Sequence, residues 1–195
     1  MAHLDIQPKR TALLIMDCQE AMLSSIVLQE REKLFTNLPR AIKAARTANI
    51  PIIYVVARFR EGYPEISEKN NFFKGLKENN RLREDAPDSK ICQEFSPEPG
   101  NIVVVKKRFS AFSGSDLEEI LRGLEIETLI LTGVSTLGVV ESTARFAFDR
   151  DYRIIVLEDC CSDRVPEAHH VALKWVLPRI STVVSVSDFE SAIKQ

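Results

Sequence analysis

The sequence predicts an α/β fold of three layers, αβα, built on a six-stranded and mostly parallel sheet. Apolar runs alternate with helical patterns along the chain, which is the signal of successive βαβ units. The runs are continuous in Val, Ile and Leu rather than alternating with polar residues, as expected for strands covered on both faces. At 195 residues the chain is long enough to bury roughly 70% of its unfolded surface without disulfides or a structural metal.

The elements follow in order. TALLIM gives a first strand at Thr11–Met16, ended by Asp17-Cys18-Gln19. A helical pattern over about 30–48 follows, in which Pro39 implies a kink or a later start. The next apolar runs give strands at Ile52–Ala57, Ile102–Val105, Thr128–Thr132, Arg153–Leu157 and Thr182–Val186. Helices over about 115–122, 136–149, 167–176 and 188–194 fill the gaps. Residues 58–100, rich in charge, Asn, Gly and Pro, break this rhythm and read as an insertion, either a substrate lid or a surface that packs on a neighbouring subunit. The lone Trp175, beside Leu173 and Val176, reads as core.

Composition excludes several classes of function. With 26 basic and 28 acidic residues well mixed, and Lys106-Lys107-Arg108 as the longest basic run, nucleic acid is not an expected partner. No segment approaches the roughly 20 apolar residues of a membrane span, and MAHLDIQPKR lacks a signal core. Cys18, Cys92, Cys160 and Cys161 show no disulfide or C-x-x-C pattern, so a reducing cytoplasm is the expected location. DCQEAM stands where a dinucleotide fold would have G-x-G-x-x-G. His3, His169 and His170 form no ligand pattern, so neither a metal nor another cofactor is expected.

The chemistry-bearing residues cluster at strand ends, where open α/β sheets place their ligands. Asp17 closes the first strand and Lys106 follows the third. Gly133 turns the fourth strand into a helix whose first amides Ser135 or Thr136 can cap. Arg58 and Arg60, just beyond the second strand, offer a fork for a substrate carboxylate.

Three of these segments carry a family likeness. Gly133–Ala144, GVSTLGVVESTA, resembles the signature of the isochorismatase-like hydrolases, also called the cysteine hydrolase superfamily, with Val139 where that family has its catalytic cysteine. Lys106 to Phe112 resembles the family's Lys-x-x-x-Ser-Ala-Phe stretch, and Asp17 falls where the family has its aspartate. The resemblance runs from about residue 9 to Val186 and implies one domain over 1–195, sheet order 3-2-1-4-5-6 and a homo-oligomer, a dimer or tetramer. It further implies a cis peptide between Val134 and Ser135, and an oxyanion site made by the Ser135 and Val139 amides.

Without a thiol the family's amide chemistry lacks its nucleophile. Isochorismatases, which the chain resembles in keeping the aspartate and lysine, release pyruvate from a vinyl ether without a cysteine. On that resemblance the expected activity is thiol-independent hydrolysis of a small carboxylate, with Asp17 as general acid and Lys106 pairing with substrate or orienting Asp17. Gln19, Arg58, Phe112 and Gly138 are the candidate substrate contacts. Two alternatives stand beside it: a homologue that binds a ligand or partner without turnover, and an amidase that uses water or another cysteine.

Overall fold

The computed structural model describes residues 4–194; His3 lies outside them. Six strands, β1 (Thr11–Met16), β2 (Ile52–Ala57), β3 (Ile102–Lys106), β4 (Thr128–Val134), β5 (Arg153–Ser162) and β6 (Thr182–Val184), form one sheet in the order β3-β2-β1-β4-β5-β6. Every neighbouring pair is parallel. The helices are α1 (Glu20–Leu23), α2 (Leu28–Thr47), α3 (Asn71–Glu78), α4 (Leu117–Gly123), α5 (Glu141–Phe148), α6 (Pro166–Val171) and α7 (Val186–Ala192).

Each face of the sheet has its own apolar layer. Leu14, Met16, Val55, Leu129 and Leu131 pack with Leu117, Val140 and Ala144 on one side. Leu13, Ile15, Tyr54 and Ile130 pack with Leu34, Leu38, Ala41 and Phe189 on the other. Successive strand residues point to opposite faces, so one continuous apolar run serves both layers.

Several boundaries differ from the sequence expectation, each for a local reason. β4 and β5 run on because their pairing resumes after a register shift, with Gly133 opposite Cys161 and Val134 opposite Ser162. β6 stops early because Ser185 and Asp188 form a reciprocal capping box that opens α7. Pro39 lies inside α2, which continues through it. The helix expected over 136–149 opens with a π-turn, Thr136–Val140, before α5, and the one expected over 167–176 ends in a second π-turn, Ala172–Val176. Trp175, expected in the core, is 65% exposed.

The stretch from 58 to 100 is not featureless. Asn70 caps α3 by accepting from the Phe73 amide at 3.3 Å. Phe59, Tyr63, Ile66, Phe73 and Leu82 bury one another in a small separate core. Two bridges tie the stretch down, Phe59 with Arg83 and Gln19 with Ile91, which brings it against the loop that leaves β1.

Candidate active site

The reversal of strand order falls between β1 and β4, and backbone contact fixes the crevice there. Gly133 has φ +133°, and a Cβ on it would stand 2.0 Å from the Met16 carbonyl oxygen, so only glycine fits. The Val134–Ser135 peptide beyond it is cis.

Asp17 leaves the end of β1 at φ +53°, a left-handed conformation that aspartate tolerates better than most residues. Its amide donates to the Val55 carbonyl at 2.8 Å, which anchors the turn to β2. Lys106 closes β3 opposite Ala57 in the register. Its stem spans the intervening strand, and Nζ meets Asp17 Oδ2 at 2.7 Å. The ammonium also donates to the Arg108 carbonyl at 2.9 Å. Both residues are buried, Asp17 4% and Lys106 2% exposed, while Asp17 Oδ1 has no hydrogen-bond partner among the described residues.

Two effects compete at this carboxyl. Burial raises its pKa above the ordinary value, and the Lys106 ammonium pulls it down; burial is the larger, so Asp17 holds its proton more tightly than an exposed aspartate.

Val139 is 1% exposed and belongs to the same apolar layer as Met16 and Val140. Around it the π-turn is closely held. Ser135 Oγ accepts from the Gly138 amide at 3.0 Å, Asp163 Oδ2 accepts from the Leu137 amide at 3.0 Å, and the Val140 amide donates to the Ser135 carbonyl at 3.3 Å. A Cβ on Gly138 would stand 2.4 Å from Ser135 Oγ, so any side chain there would force that hydroxyl to turn away.

The candidate substrate contacts divide. Gln19 is fully buried: its Nε2 donates to the carbonyls of Ala57 (3.0 Å) and Ser89 (2.7 Å), and its Oε1 accepts from the Ala57 amide at 2.8 Å. Both its amide hydrogens are thus spent on backbone. Phe112 packs into the core, stacked on Phe146 with centroids 4.6 Å apart. Arg58 is half-buried and makes one long contact, Nε to the Ser89 carbonyl at 3.4 Å. Arg60 does not join it in a fork; it is exposed and pairs with Glu65 at 2.6 Å.

The sequence reading did not single out Phe109 or Asp163. Phe109 Cδ1 comes within 3.8 Å of the Cβ position of Gly138, and its ring packs at a tilt against Phe72 and Phe73 of the insertion, with centroids 4.7 and 5.4 Å away. A Phe-Phe pair in a polar stretch was the visible signal; its partner was not. All four cysteines are buried and free. Burial pushes the thiols up, to about 12 for Cys92 and Cys161, with Cys18 and Cys160 raised as well, so none is poised as a thiolate.

Comparison with known proteins agrees with this architecture. The isochorismatase domain model matches residues 11–188. The ureidoacrylate amidohydrolase RutB of Methylobacterium radiotolerans is 31% identical, over 96% of this chain and 81% of its own. The crystal structure of a cysteine hydrolase from Pseudomonas syringae pv. phaseolicola superposes with a TM-score of 0.90 at 20% identity, covering 98% of this chain and 95% of that one. The N-carbamoylsarcosine amidase of Thermoplasma acidophilum superposes with a TM-score of 0.73 at 26% identity, covering 91% and 96%. With a family model spanning nearly its whole length and a fold to match, this chain belongs to the isochorismatase domain family of hydrolases.

Proposed function

We propose that the protein hydrolyses a small carboxylate-bearing molecule without a thiol, with Asp17 as proton donor and Lys106 as its electrostatic partner. The buried Asp17–Lys106 pair carries this reading. A carboxyl whose proton is stabilised by burial suits general acid catalysis, and the ammonium stabilises the carboxylate left once the proton has gone.

In vinyl ether hydrolysis Asp17 delivers its proton to the enol ether carbon. Water adds to the resulting oxocarbenium carbon, and the hemiketal collapses to pyruvate and an alcohol. The added water returns its proton to the Asp17 carboxylate, the Ser135 and Val139 amides serve as donors to the alcohol oxygen as it leaves the hemiketal, and Arg58, with one weak contact, is the group that meets the substrate carboxylate. Isochorismate is the named candidate. Amide chemistry through another cysteine has no support in the burial of the four thiols.

The experiment is product release by wild type and Asp17→Asn, using pyruvate from isochorismate and ammonia from ureidoacrylate, the compound named for the RutB relative. Pyruvate release lost in the variant supports the proposal. Ammonia release alone turns it toward water-driven amide hydrolysis. Silence on both substrates, with saturable binding by calorimetry, makes the protein a binder.

A further inference from the structure

We propose that His169 is a positioning residue for the turn after β4, holding it through Thr136, and that protonation of His169 changes how that turn is held. This rests on the proposed hydrolysis only in assigning the turn a role in turnover.

The contact joins two buried side chains from separate segments. Thr136 Oγ1 and His169 Nδ1 are 2.8 Å apart; Thr136 is fully buried and His169 is 7% exposed. Asp163 runs parallel to it, accepting the Leu137 amide with one oxygen and the Val165 amide, at 3.3 Å, with the other. Thr136 and Leu137, the first two residues of the π-turn, are therefore both fastened to the segment that opens α6, one through an imidazole and one through a carboxylate.

The far side of the imidazole faces charge. Nε2 lies 3.9 Å from Glu30 Oε2, an oxygen that is buried and has no hydrogen-bond partner among the described residues. The charged and titratable neighbours are Glu30 and Lys33 of α2, Asp163 just after β5, and His170 of α6 itself, with Glu158 of β5 and Lys174 on the wall of the adjoining cavity; burial is the largest influence and holds His169 below the usual histidine range. A surface cavity of about 520 Å³, with Glu30, Lys33, His169 and His170 on its wall, opens beside the ring.

A neutral imidazole carries one ring proton. The Glu30 acceptor beside Nε2 favours it there, leaving Nδ1 to accept from the Thr136 hydroxyl. An imidazolium donates at both nitrogens. Thr136 must then turn its hydroxyl to accept, and Nε2 gains a full charge with which to draw in Glu30. One proton taken up from the cavity thus reverses the hydrogen bond at the first residue of the turn.

The test is a pH titration of the intact, isotope-labelled protein by NMR, following the His169 ring and the amides of residues 136–139. In wild type the turn amides are expected to shift with the midpoint of His169. Thr136→Ser keeps that coupling, whereas Thr136→Val abolishes it and leaves the His169 titration in place. Turn amides that stay still while His169 titrates, or a His169 that stays neutral down to the acid unfolding limit, overturn the proposal. On whichever substrate wild type turns over, His169→Asn is expected to lower kcat about 10- to 100-fold with KM within about twofold. Protonation of His169 is expected to slow turnover and give wild type an acid limb; His169→Asn removes that limb, which loss of a merely structural role would not do. A protein with no turnover defeats the proposed hydrolysis but leaves the NMR outcome to decide the coupling by itself.

Discussion

The two edges of the crevice meet their polar groups in different ways. At the β1 edge, Asp17 and Lys106 form a buried pair with one carboxyl oxygen left without a partner among the described residues. At the β4 edge the valence is filled: Val139 packs into the core, and Ser135 and Asp163 hold the neighbouring amides. A buried polar atom without a partner costs about 1–3 kcal/mol, so a fold that leaves one at Asp17 and satisfies the next polar residue along, Gln19, separates chemistry from scaffolding within three positions. The difference teaches that one edge of a crevice can keep an unmet buried polar atom while the opposite edge is packed and capped.

The largest effect expected is at Asp17. Asp17→Ala leaves the Lys106 ammonium buried and unpaired, which costs about 3–5 kcal/mol of stability and lowers turnover about 10²- to 10⁴-fold; calorimetric unfolding and initial rates check the two losses. Gly133→Ala strikes the seam between the edges. Its methyl group lands on the Met16 carbonyl, so a loss of about 3 kcal/mol is expected in denaturant unfolding. Gln19→Ala breaks the comparison if it behaves like Asp17. The expectation is a loss of about 1–3 kcal/mol from stranded backbone groups, with kcat of the folded fraction within about threefold of wild type. A smaller cost attends Val139→Cys, less than about 1.5 kcal/mol for a near volume-conserving change, and ammonia release from ureidoacrylate is the gain to measure.

The smallest effect is in pH. Because burial raises Asp17 above 3.8, the folded chain keeps a proton that the unfolded chain has released between 3.8 and the raised value. Its contribution to stability is therefore greatest at the acid end of that window and declines as pH rises through it. Activity through a protonated Asp17 falls over the alkaline side of the same titration. Lys106→Met removes the ammonium that opposes burial, so the alkaline limb of any residual activity should move to higher pH. A limb that stays in place would assign it to another group.

Much of this fold is legible in the sequence because continuous apolar runs of five or six residues admit few readings when helical patterns separate them. The first two strands stand where TALLIM and IIYVVA put them. Strand ends are less legible. The return of β5 to β4 at Cys161 depends on a register shift, a long-range event with no local signature. Asp17 and Lys106 could be named as site residues because a charge directly after an apolar strand is conspicuous, but the 88 residues between them hide their 2.7 Å meeting. Phe112 illustrates the opposite case: its motif marks the segment while its ring turns into the core against Phe146. The Thr136–His169 contact joins two unremarkable residues and only the folded chain displays it.

Trp175, the only tryptophan, stands 65% exposed on the π-turn that continues α6. An indole already surrounded by water has little further to shift in emission when the chain unfolds, so its fluorescence maximum is nearly blind to global denaturation. The same exposure makes it a sensitive optical probe of anything that settles on that side of the molecule, and subunit association there would register as a blue shift that dilution reverses.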